Sequence, residues 1–425
     1  MAARSASFHK RTPHKRSSTP STHHRNLTYM QQLSRKKVTK PTHKPSFSYA
    51  NSNKISDNFD QFIQNEMRRV PFLSLQKSTP KPKSQARKTP VHRRANSQLQ
   101  GSYDSFYEQE NKHHRNFSEF KLPSLVVDFS SKTQKGFNPS NPNKVNQDSW
   151  FAQKNFSNRK GYYLFSVCDG HGYYGEQVSG FIKHSFPETL LKDPNFPKNP
   201  RRALISSLTK VSSDLNYEDI DAKFSGSTLV SVFIKDFSLF CANIGDSRAF
   251  MGRQLSGKQL LKQNIPLSEQ GKHWMAIALT RDHKPDERDE SARILHCGGR
   301  IMSYQDEHGN KVGPARVWLK HQDLPGLAMS RSIGDMVVSS VGVISDPEIL
   351  EFNITQDDKF VVLGSDGIFE FMSNEDVVKV VVPYWKANDS KGAAEALVRE
   401  STTKWKVNEE VIDDITCIVI FLGFV

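Results

Sequence analysis

Cysteine is scarce in this sequence, with four residues among 425, and long apolar runs are absent. The cysteines stand far apart, at Cys168, Cys241, Cys297 and Cys417, and none belongs to a Cys-x-x-Cys pair. This spacing argues against a disulfide framework or a zinc site and indicates buried, reduced thiols in an intracellular protein. No apolar run approaches the ~20 residues that a membrane-spanning helix requires.

The first residues lack two common targeting signals. No hydrophobic stretch typical of a signal peptide is present, and Ala2 stands where N-myristoylation requires glycine. We therefore expect a soluble, monomeric protein without a transmembrane segment, located in the cytoplasm, the nucleus or both.

Acidic residues are scarce in one part of the chain only. Residues 1–100 contain 3 Asp+Glu against 21 Lys+Arg, whereas residues 101–425 contain 42 against 38. A segment of low hydrophobicity and high net charge buries too little apolar surface to become ordered. We predict a disordered basic tail over residues 1–120 and one folded domain over residues 121–425.

The basic tail suggests an electrostatic partner. The net charge of +18 over residues 1–100 would attract an acidic protein or another anionic surface. The few aromatic residues of this segment show no regular interleaving with these charges, so no specific nucleic-acid readout is indicated. The tail also contains Thr-Pro pairs and an Arg-x-x-Ser motif, where each added phosphate would remove ~1.5–2 charges and tune attachment.

Aspartates mark the ends of several apolar runs. The runs that end at Asp169, Asp246 and Asp366 are each followed at once by glycine or serine, and the run 415–421 follows directly on an Asp-Asp pair. Such runs, rich in β-branched and aromatic residues, are typical of buried strands. Carboxylates at strand ends are suited to bind Mg²⁺ or Mn²⁺, which prefer oxygen ligands. Together they suggest that the ends of several strands bring carboxylate side chains to one edge of the fold.

Strand patterns outnumber helical ones, and tight turns such as Lys235–Ser238 favour antiparallel pairing. We predict an α+β fold in which two antiparallel sheets are flanked by helices. The predicted strands are 125–128, 149–153, 162–168, 228–234, 239–244, 248–252, 360–363 and 416–421. The predicted helices are 174–185, 201–215, 286–297, 374–382 and 391–404.

Eleven motifs follow one another along the second part of the chain. They include Asn146–Asp148, Val167–Gly172, Ser225–Thr228, Asn243–Ala249, Leu279–Pro285, Pro325–Asp335, Val362–Gly367 and Asp413–Thr416. In this order they resemble the metal-dependent protein serine/threonine phosphatases of the protein phosphatase 2C family, over roughly residues 140–425. The resemblance implies a central β-sandwich with helices on both sides, in α-β-β-α layers, and a binuclear Mg²⁺ or Mn²⁺ centre at one end of it.

The resemblance also implies a set of oxygen ligands for at least two cations. The carboxylate of Asp169 bridges the two ions in this interpretation, and Gly170 offers its carbonyl. Gln147 stands where many family members have glutamate, so we expect weaker binding of the second cation. Asp246 corresponds to a residue linked to a third, weaker ion. The full implied set is Gln147, Asp148, Asp169, Gly170, Asp246, Asp366 and Asp413.

Two further residues are assigned to catalysis and phosphate binding. His171 lies two residues after Asp169 and is suited to protonate the leaving alkoxide; the alternative is a turn histidine bonded to backbone. The family commonly has arginine where Asn143 stands. Lys144 beside it supplies a point charge but cannot bind phosphate through two parallel hydrogen bonds as arginine does. Arg316 or Arg331 could compensate, or both could be ion-pair partners of Asp335 or nearby carboxylates.

Several motif residues have structural interpretations. Ser225–Thr228 resembles a nucleophile motif, but no His/Asp relay accompanies it, so we expect it to pack beneath the predicted metal site. For His283, a turn ahead of a helix is favoured over a metal ligand. We expect Asp335 to orient ligands or waters, and Trp318 and Phe369 to be core or rim aromatics.

We predict metal-dependent hydrolysis of phosphoserine and phosphothreonine in phosphorylated protein substrates, with a water activated at the binuclear centre. The alternative is a catalytically weak phosphatase-like domain that binds phosphoproteins as a scaffold tethered by its basic tail. The presence of Asp148, Asp169, Asp366, Asp413 and His171 favours the enzyme, because degenerate copies usually lose a metal aspartate.

Overall fold

The computed structural model describes residues 124–269 and 271–425. The basic tail predicted over residues 1–120, with its phosphorylation motifs, lies outside these residues. Among the described residues, no helix combines the length and apolarity needed to span a membrane.

Two antiparallel sheets form the centre of the domain. The first has the order β1-β15-β14-β7-β8. Its strands are β1 (Leu125–Gln134), β7 (Arg248–Gln254), β8 (Trp274–Ala278), β14 (Asp358–Gly364) and β15 (Ile415–Phe424). The second has the order β12-β4-β3-β5-β6-β13, and β2 also pairs with β3. Its strands are β2 (Asp148–Lys154), β3 (Tyr162–His171), β4 (Gly226–Ser227), β5 (Leu229–Lys235), β6 (Ser238–Ile244), β12 (Ile333–Gly334) and β13 (Glu348–Asn353).

The two sheets pack face to face around a common core. Phe165 and Val232 of the second sheet lie in one apolar cluster with Val361 and Ile418 of the first. All four are fully buried. Alternate residues of each strand point into this layer. This burial explains why the apolar runs in the sequence predicted strands.

Helices cover the outer face of each sheet. On the second sheet lie α1 (Gly175–Lys192) and α2 (Pro200–Asp214), which contribute Ile182 and Leu208 to a second core. Shorter helices are α3 (Gly257–Lys262), α4 (Arg288–His296), α5 (Met336–Ser339) and α6 (Asp366–Phe369). The first sheet is covered by α7 (Asn374–Lys386) and α8 (Ser390–Asn408), which contribute Val381 and Leu397 to a third. The predicted α+β fold with helices outside both sheets is confirmed.

A third sheet, which we call the outer sheet, lies beside the sandwich. It consists of β9 (Arg300–Gln305), β10 (Lys311–Trp318) and β11 (Pro325–Leu327), in the order β11-β10-β9. Its small core includes Val317 and Leu327 together with Ile294 of α4. These strands were not predicted, because β9 and β10 are only partly buried and β10 contains Gly313 and Pro314, which weaken a strand pattern.

Three helices are longer than predicted: α8 extends to Asn408 instead of 404, and the other two continue through a proline. The predicted helices stop at 185 and 382, shortly before Pro187 and Pro383, since proline normally ends a helix. In the structure α1 and α7 continue through these prolines to Lys192 and Lys386. Pro187 is itself buried, so packing against the sheet outweighs the lost backbone hydrogen bond.

Candidate metal centre

Strand ends bring the predicted acids to one edge of the sandwich. Asp148 begins β2 and lies directly opposite Asp169, near the end of β3. On the other sheet, Gly364 at the end of β14 pairs with Cys417 near the start of β15. Because these strands are antiparallel, the residues that follow β14 and those that precede β15 share an edge. The fold thereby gathers acids that are far apart in sequence.

The acidic side chains act on one another electrostatically. Burial raises the pKa of Asp169 well above its usual value, and the charges of Asp366, Asp148, Asp413 and Asp246 raise it further, in that order. The pKa of Asp366 is raised by burial and then by Asp413 and Asp246. Burial also raises the pKa of Asp148 to about 7. Five aspartates thus form one anionic cluster, here called the acidic rim, which a cation would stabilise.

Three carboxylate oxygens of the acidic rim are buried without a hydrogen-bond partner among the described residues. They are Oδ1 of Asp148, Oδ1 of Asp246 and Oδ1 of Asp366. A buried carboxylate oxygen without a partner is costly, and hard cations bind oxygen ligands of this kind. The donor set therefore fits Mg²⁺ or Mn²⁺. Within 124–269 and 271–425, however, no three Asp, Glu, His or Cys side chains already converge on one ligand position.

Two lysines neutralise part of the acidic rim. Lys144 Nζ lies 2.9 Å from Oδ1 of Asp413 and 3.0 Å from Oδ2 of Asp414. Burial alone would lower the pKa of Lys144, but the two carboxylates outweigh it and raise the pKa. On the other side, Lys284 Nζ lies 2.5 Å from Oδ2 of Asp246. The predicted phosphate ligand Lys144 is therefore also an ion-pair partner of the rim residue Asp413 and of its neighbour Asp414.

Asp414 is a site residue that the sequence analysis did not assign. Its side chain is 4% exposed, whereas that of neighbouring Asp413 is 51% exposed. Asp414 Oδ1 accepts a hydrogen bond from the Gly136 backbone amide, and Oδ2 accepts one from that of Gln147. It therefore anchors the segment that carries Gln147, whereas the more exposed Asp413 belongs to the acidic rim. The signal was present in the Asp-Asp pair before β15.

Gly170 and Gln147 lie at a very close approach of backbone segments. A Cβ atom at position 170 would fall 2.2 Å from the carbonyl oxygen of Gly175 and 2.6 Å from that of Gln147. Only glycine fits there. The Gln147 amide donates to the Gly172 carbonyl at 2.7 Å, and its nitrogen lies 3.4 Å from a carboxylate oxygen of Glu176. The predicted ligand segment is thus held next to β3 by backbone contact.

The Ser225–Thr228 segment packs beneath Asp169, as expected. The backbone amide of Asp169 donates to Oγ1 of Thr228, and the Thr228 amide donates to the Asp169 carbonyl. Thr228 also shares a hydrogen bond of 2.6 Å with Ser247, the residue after Asp246. Thr228 and Ser247 are both fully buried. This segment fixes the backbone of the rim and is too enclosed to act as a nucleophile.

His171 contacts a carboxylate instead of backbone. Its Nε2 atom lies 2.6 Å from Oδ2 of Asp335, whereas Nδ1 is buried without a partner among the described residues. Burial lowers the pKa of His171, but Asp335, Asp246 and Asp366 together outweigh burial and raise the pKa. The imidazole remains 22% exposed. A cationic histidine at the margin of the acidic rim is a suitable proton donor.

The structure bears out the ion-pair alternative for Arg331, with a nearby carboxylate, but not for Arg316. Asp335 pairs with His171, not with arginine. Arg331 is bound by Glu290, with an Nη2 to Oε1 distance of 2.6 Å. Arg316 has no carboxylate partner in the described part of the chain: it donates to the Gly326 carbonyl, and its Nε is buried and unbonded.

The structure agrees with the structural roles expected for His283, Trp318, Phe369 and the cysteines. His283 is fully buried, and its Nδ1 accepts a hydrogen bond from the Gly245 amide, so it is structural. Trp318 and Phe369 are 7% exposed and belong to the core. In the described part of the chain all cysteines are free; Cys297 is exposed, and the other three are buried as expected.

Solved structures share the four-layer fold of this domain. The serine-threonine phosphatase 2C from Toxoplasma gondii superimposes with a TM-score of 0.57 at 19% identity, over 71% of this chain and 98% of that one. A sex determining protein of C. elegans superimposes with a TM-score of 0.53 at 19% identity, over 69% of this chain and 64% of that one. These likenesses show the fold.

Sequence comparison shows the family. The protein phosphatase 2C model matches residues 128–408, so the chain belongs to the protein phosphatase 2C family and is a protein serine/threonine phosphatase. The probable protein phosphatase 2C 35 of Arabidopsis thaliana is 32% identical over 70% of this chain and 84% of its own length. The probable protein phosphatase 2C 72 of the same plant is 33% identical over 61% and 76%.

Proposed function

We propose that this protein hydrolyses phosphoserine and phosphothreonine in proteins at a binuclear Mg²⁺ or Mn²⁺ centre held by the acidic rim. The observation that carries the proposal is the set of three buried, unbonded carboxylate oxygens on Asp148, Asp246 and Asp366. Burial and mutual repulsion raise the pKa of Asp169 and of Asp366, which is the expected electrostatic state of a site that binds positive charge.

The ligands are proposed by the position of each residue. Asp169 lies among the other four rim aspartates and is the proposed bridging carboxylate. Gly170 adds its backbone carbonyl, and Gln147 adds an amide oxygen or a contact through water. Asp246 is proposed to hold a third, weaker ion. The remaining proposed ligands are Asp148, Asp366 and Asp413. When bound, the cations neutralise the phosphate and lower the pKa of a water molecule.

His171 is the proposed general acid. The serine or threonine alkoxide is a poor leaving group, and a proton delivered to its oxygen accelerates its departure by about 10²–10⁴-fold. The partly exposed imidazole stands two residues after Asp169, and Asp335 favours its protonated form.

Two cationic side chains are proposed to bind the phosphate or its flanking peptide. Lys144 contributes a point charge next to Asp413. Arg316 is a second candidate, supported by its buried, unbonded Nε. Burial lowers the pKa of Arg316, and Tyr304 and Asp246 counter this effect only in part. Its guanidinium carbon lies 4.8 Å from the centre of the Tyr304 ring, which restricts its orientation.

A turnover assay on a phosphothreonine peptide, with and without Mn²⁺, tests this function. We expect activity that requires the cation and is abolished in Asp169→Asn. A matched control is Asp323→Asn, which changes an exposed aspartate of the outer sheet region that is ion-paired with Arg300. Metal-independent turnover, or none in the unmodified protein, would instead favour a phosphoprotein-binding module.

Two proposals concern the whole protein. The basic residues 1–100 are proposed to attach it to an acidic partner or an anionic surface, and the protein is proposed to act as a monomer in the cytoplasm, the nucleus or both. Removing residues 1–100 should change its location or its partners. Unchanged location and binding would contradict the role of the tail.

A further inference from the structure

The imidazole of His171 is held by a carboxylate from a distant part of the chain. Oδ2 of Asp335 lies 2.6 Å from Nε2 of His171, across a separation of 164 residues. His171 ends β3, and Asp335 lies between β12 and α5. We propose that Asp335 is a positioning residue for the phosphatase reaction: it fixes the orientation and tautomer of His171 so that Nδ1 faces the leaving oxygen. This inference rests on the proposed role of His171 as general acid.

The position of Asp335 is fixed by its surroundings. Its backbone has φ 47° and ψ 45°, in the left-handed region that aspartate tolerates better than most residues. Backbone strain of this kind at a non-glycine residue persists only where the surrounding structure imposes it. The Asp335 amide donates to the Ser225 carbonyl at 2.9 Å, which ties this strained backbone to the segment beneath Asp169.

The position of the Asp335 carboxylate also depends on the absence of a side chain at Gly226. A Cβ atom on Gly226 would fall 2.3 Å from Oδ2 of Asp335 and 2.5 Å from Oγ of Ser332. Gly226 pairs with His171 in the β3–β4 ladder. The strand neighbour of the histidine therefore leaves room for the carboxylate that holds it, so the arrangement is built into the sheet register.

The geometry assigns different tasks to the two ring nitrogens of His171. Nε2 is committed to Asp335, which is 2% exposed, while Nδ1 has no partner among the described residues. As a water oxygen bonds to phosphorus and the ester P–O bond breaks, the electron pair of that bond stays on the serine or threonine oxygen, and the proton on Nδ1 moves to that oxygen. His171 is left neutral with its remaining proton on Nε2 towards Asp335, and it regains a proton from solvent before the next turnover.

The test compares two phosphate esters that differ in their need for a proton. A phosphothreonine peptide releases an alkoxide that must be protonated, whereas 2,4-dinitrophenyl phosphate releases a stable phenolate that needs no acid. The variant is Asp335→Asn, because asparagine keeps the size of the side chain and tolerates the left-handed backbone. We expect kcat for the peptide to fall by about 10–100-fold, with KM changed less than about threefold and the aryl ester affected less than about fivefold.

A second variant separates position from charge. Gly226→Ala keeps the Asp335 carboxylate but puts a methyl group in the space of Oδ2, so the same selective loss on the peptide is expected. Ser332→Ala is the matched control, since Ser332 lines the same space and does not contact His171; the ratio of the two rates should stay at the unmodified value. Melting temperature and Mn²⁺ binding by calorimetry verify that each variant is folded and loaded.

His171→Gln distinguishes a failure of this inference from a failure of the proposed function. If this variant loses activity on the peptide selectively but Asp335→Asn and Gly226→Ala do not, Asp335 is not a positioning residue. If His171→Gln affects both esters equally, His171 is not the general acid and the inference is overturned with it. Should Asp335→Asn fail to fold, the result with Gly226→Ala decides.

Discussion

Asp148 and Asp169 stand directly opposite each other on β2 and β3, so two carboxylates are fixed side by side by sheet register alone. Like charges directly opposite are destabilising in a sheet. Asp366 and Asp413 add to the repulsion at Asp169 from the other sheet. The acidic rim therefore stores unfavourable electrostatic energy that the rest of the fold offsets.

Asp366→Asn should change stability in opposite directions with and without cations. In metal-free protein the substitution removes a buried charge whose pKa is raised by burial and by Asp413 and Asp246, so we expect a gain of about 1 kcal/mol or more in the free energy of unfolding. With Mn²⁺ at ~100 times its dissociation constant, the unmodified protein should gain ~2.7 kcal/mol, and the variant less. Urea unfolding in chelator and in Mn²⁺ measures both. Equal responses to Mn²⁺ in the two proteins would contradict the assignment of Asp366 as a ligand.

Gln147→Glu should strengthen cation binding. The added charge supplies the carboxylate that Gln147 lacks, and we expect Mn²⁺ affinity by calorimetry to rise about three- to tenfold, or up to ~1.4 kcal/mol. Without cations the same variant should melt at a lower temperature, because Glu176 lies 3.4 Å from the Gln147 amide nitrogen. Gln153→Glu is the control, since it adds the same charge at an exposed position of β2. Unchanged affinity would mean that position 147 makes no contact with the cation.

Lys144 and Arg316 can be separated as phosphate contacts. Arg316→Met leaves no carboxylate unpaired, so we expect KM for a phosphothreonine peptide to rise about 5–50-fold with little loss of stability. Lys144→Met should also raise KM, but it leaves buried Asp414 without its cation and should cost about 1–3 kcal/mol of stability. Arg300→Met serves as the control from the outer sheet. If neither first variant changes KM, another group binds the phosphate.

His283 should make the fold sensitive to mild acid. Burial and Arg331 lower its pKa from 6.5 to about 4, so between these values the unfolded chain binds a proton that the folded protein does not. Stability therefore rises with pH through this window, and lowering pH from 6.5 to 4 should cost about 3 kcal/mol from this group. His283→Asn keeps an acceptor for the Gly245 amide and should flatten that part of the profile in urea unfolding from pH 7 to 4.5. The exposed His321→Asn should not, and an unchanged slope in His283→Asn would show that His283 contributes none of it.

The sandwich and the acidic rim were largely predictable from sequence for a simple physical reason. Buried strands are long and apolar, and each of the key acids directly follows or precedes one, so pattern and position coincide. Contacts between distant side chains carry no such signal. The pairing of Asp335 with His171 and the ion pair of Lys284 with Asp246 depend on rotamers and register, which local patterns do not specify.

The outer sheet also shows a limit of prediction from local sequence patterns. β10 lies mostly at the surface, contains glycine and proline, and buries only its last residues, Val317 and Trp318. Its strand structure is imposed by pairing with β9 and β11 and by contact with α4. A prediction based on local periodicity has little to detect where the tertiary context decides.

The contact between Gly170 and Gly175 limits how this enzyme could be redesigned. The first turn of α1 touches the end of β3 through main-chain atoms, with no side chain between them to be varied. A mutant library that randomised the whole loop would consist mostly of proteins with a displaced helix. Useful diversity lies in the exposed side chains of Tyr173 and Gln177, where new surface shapes leave that main-chain contact intact.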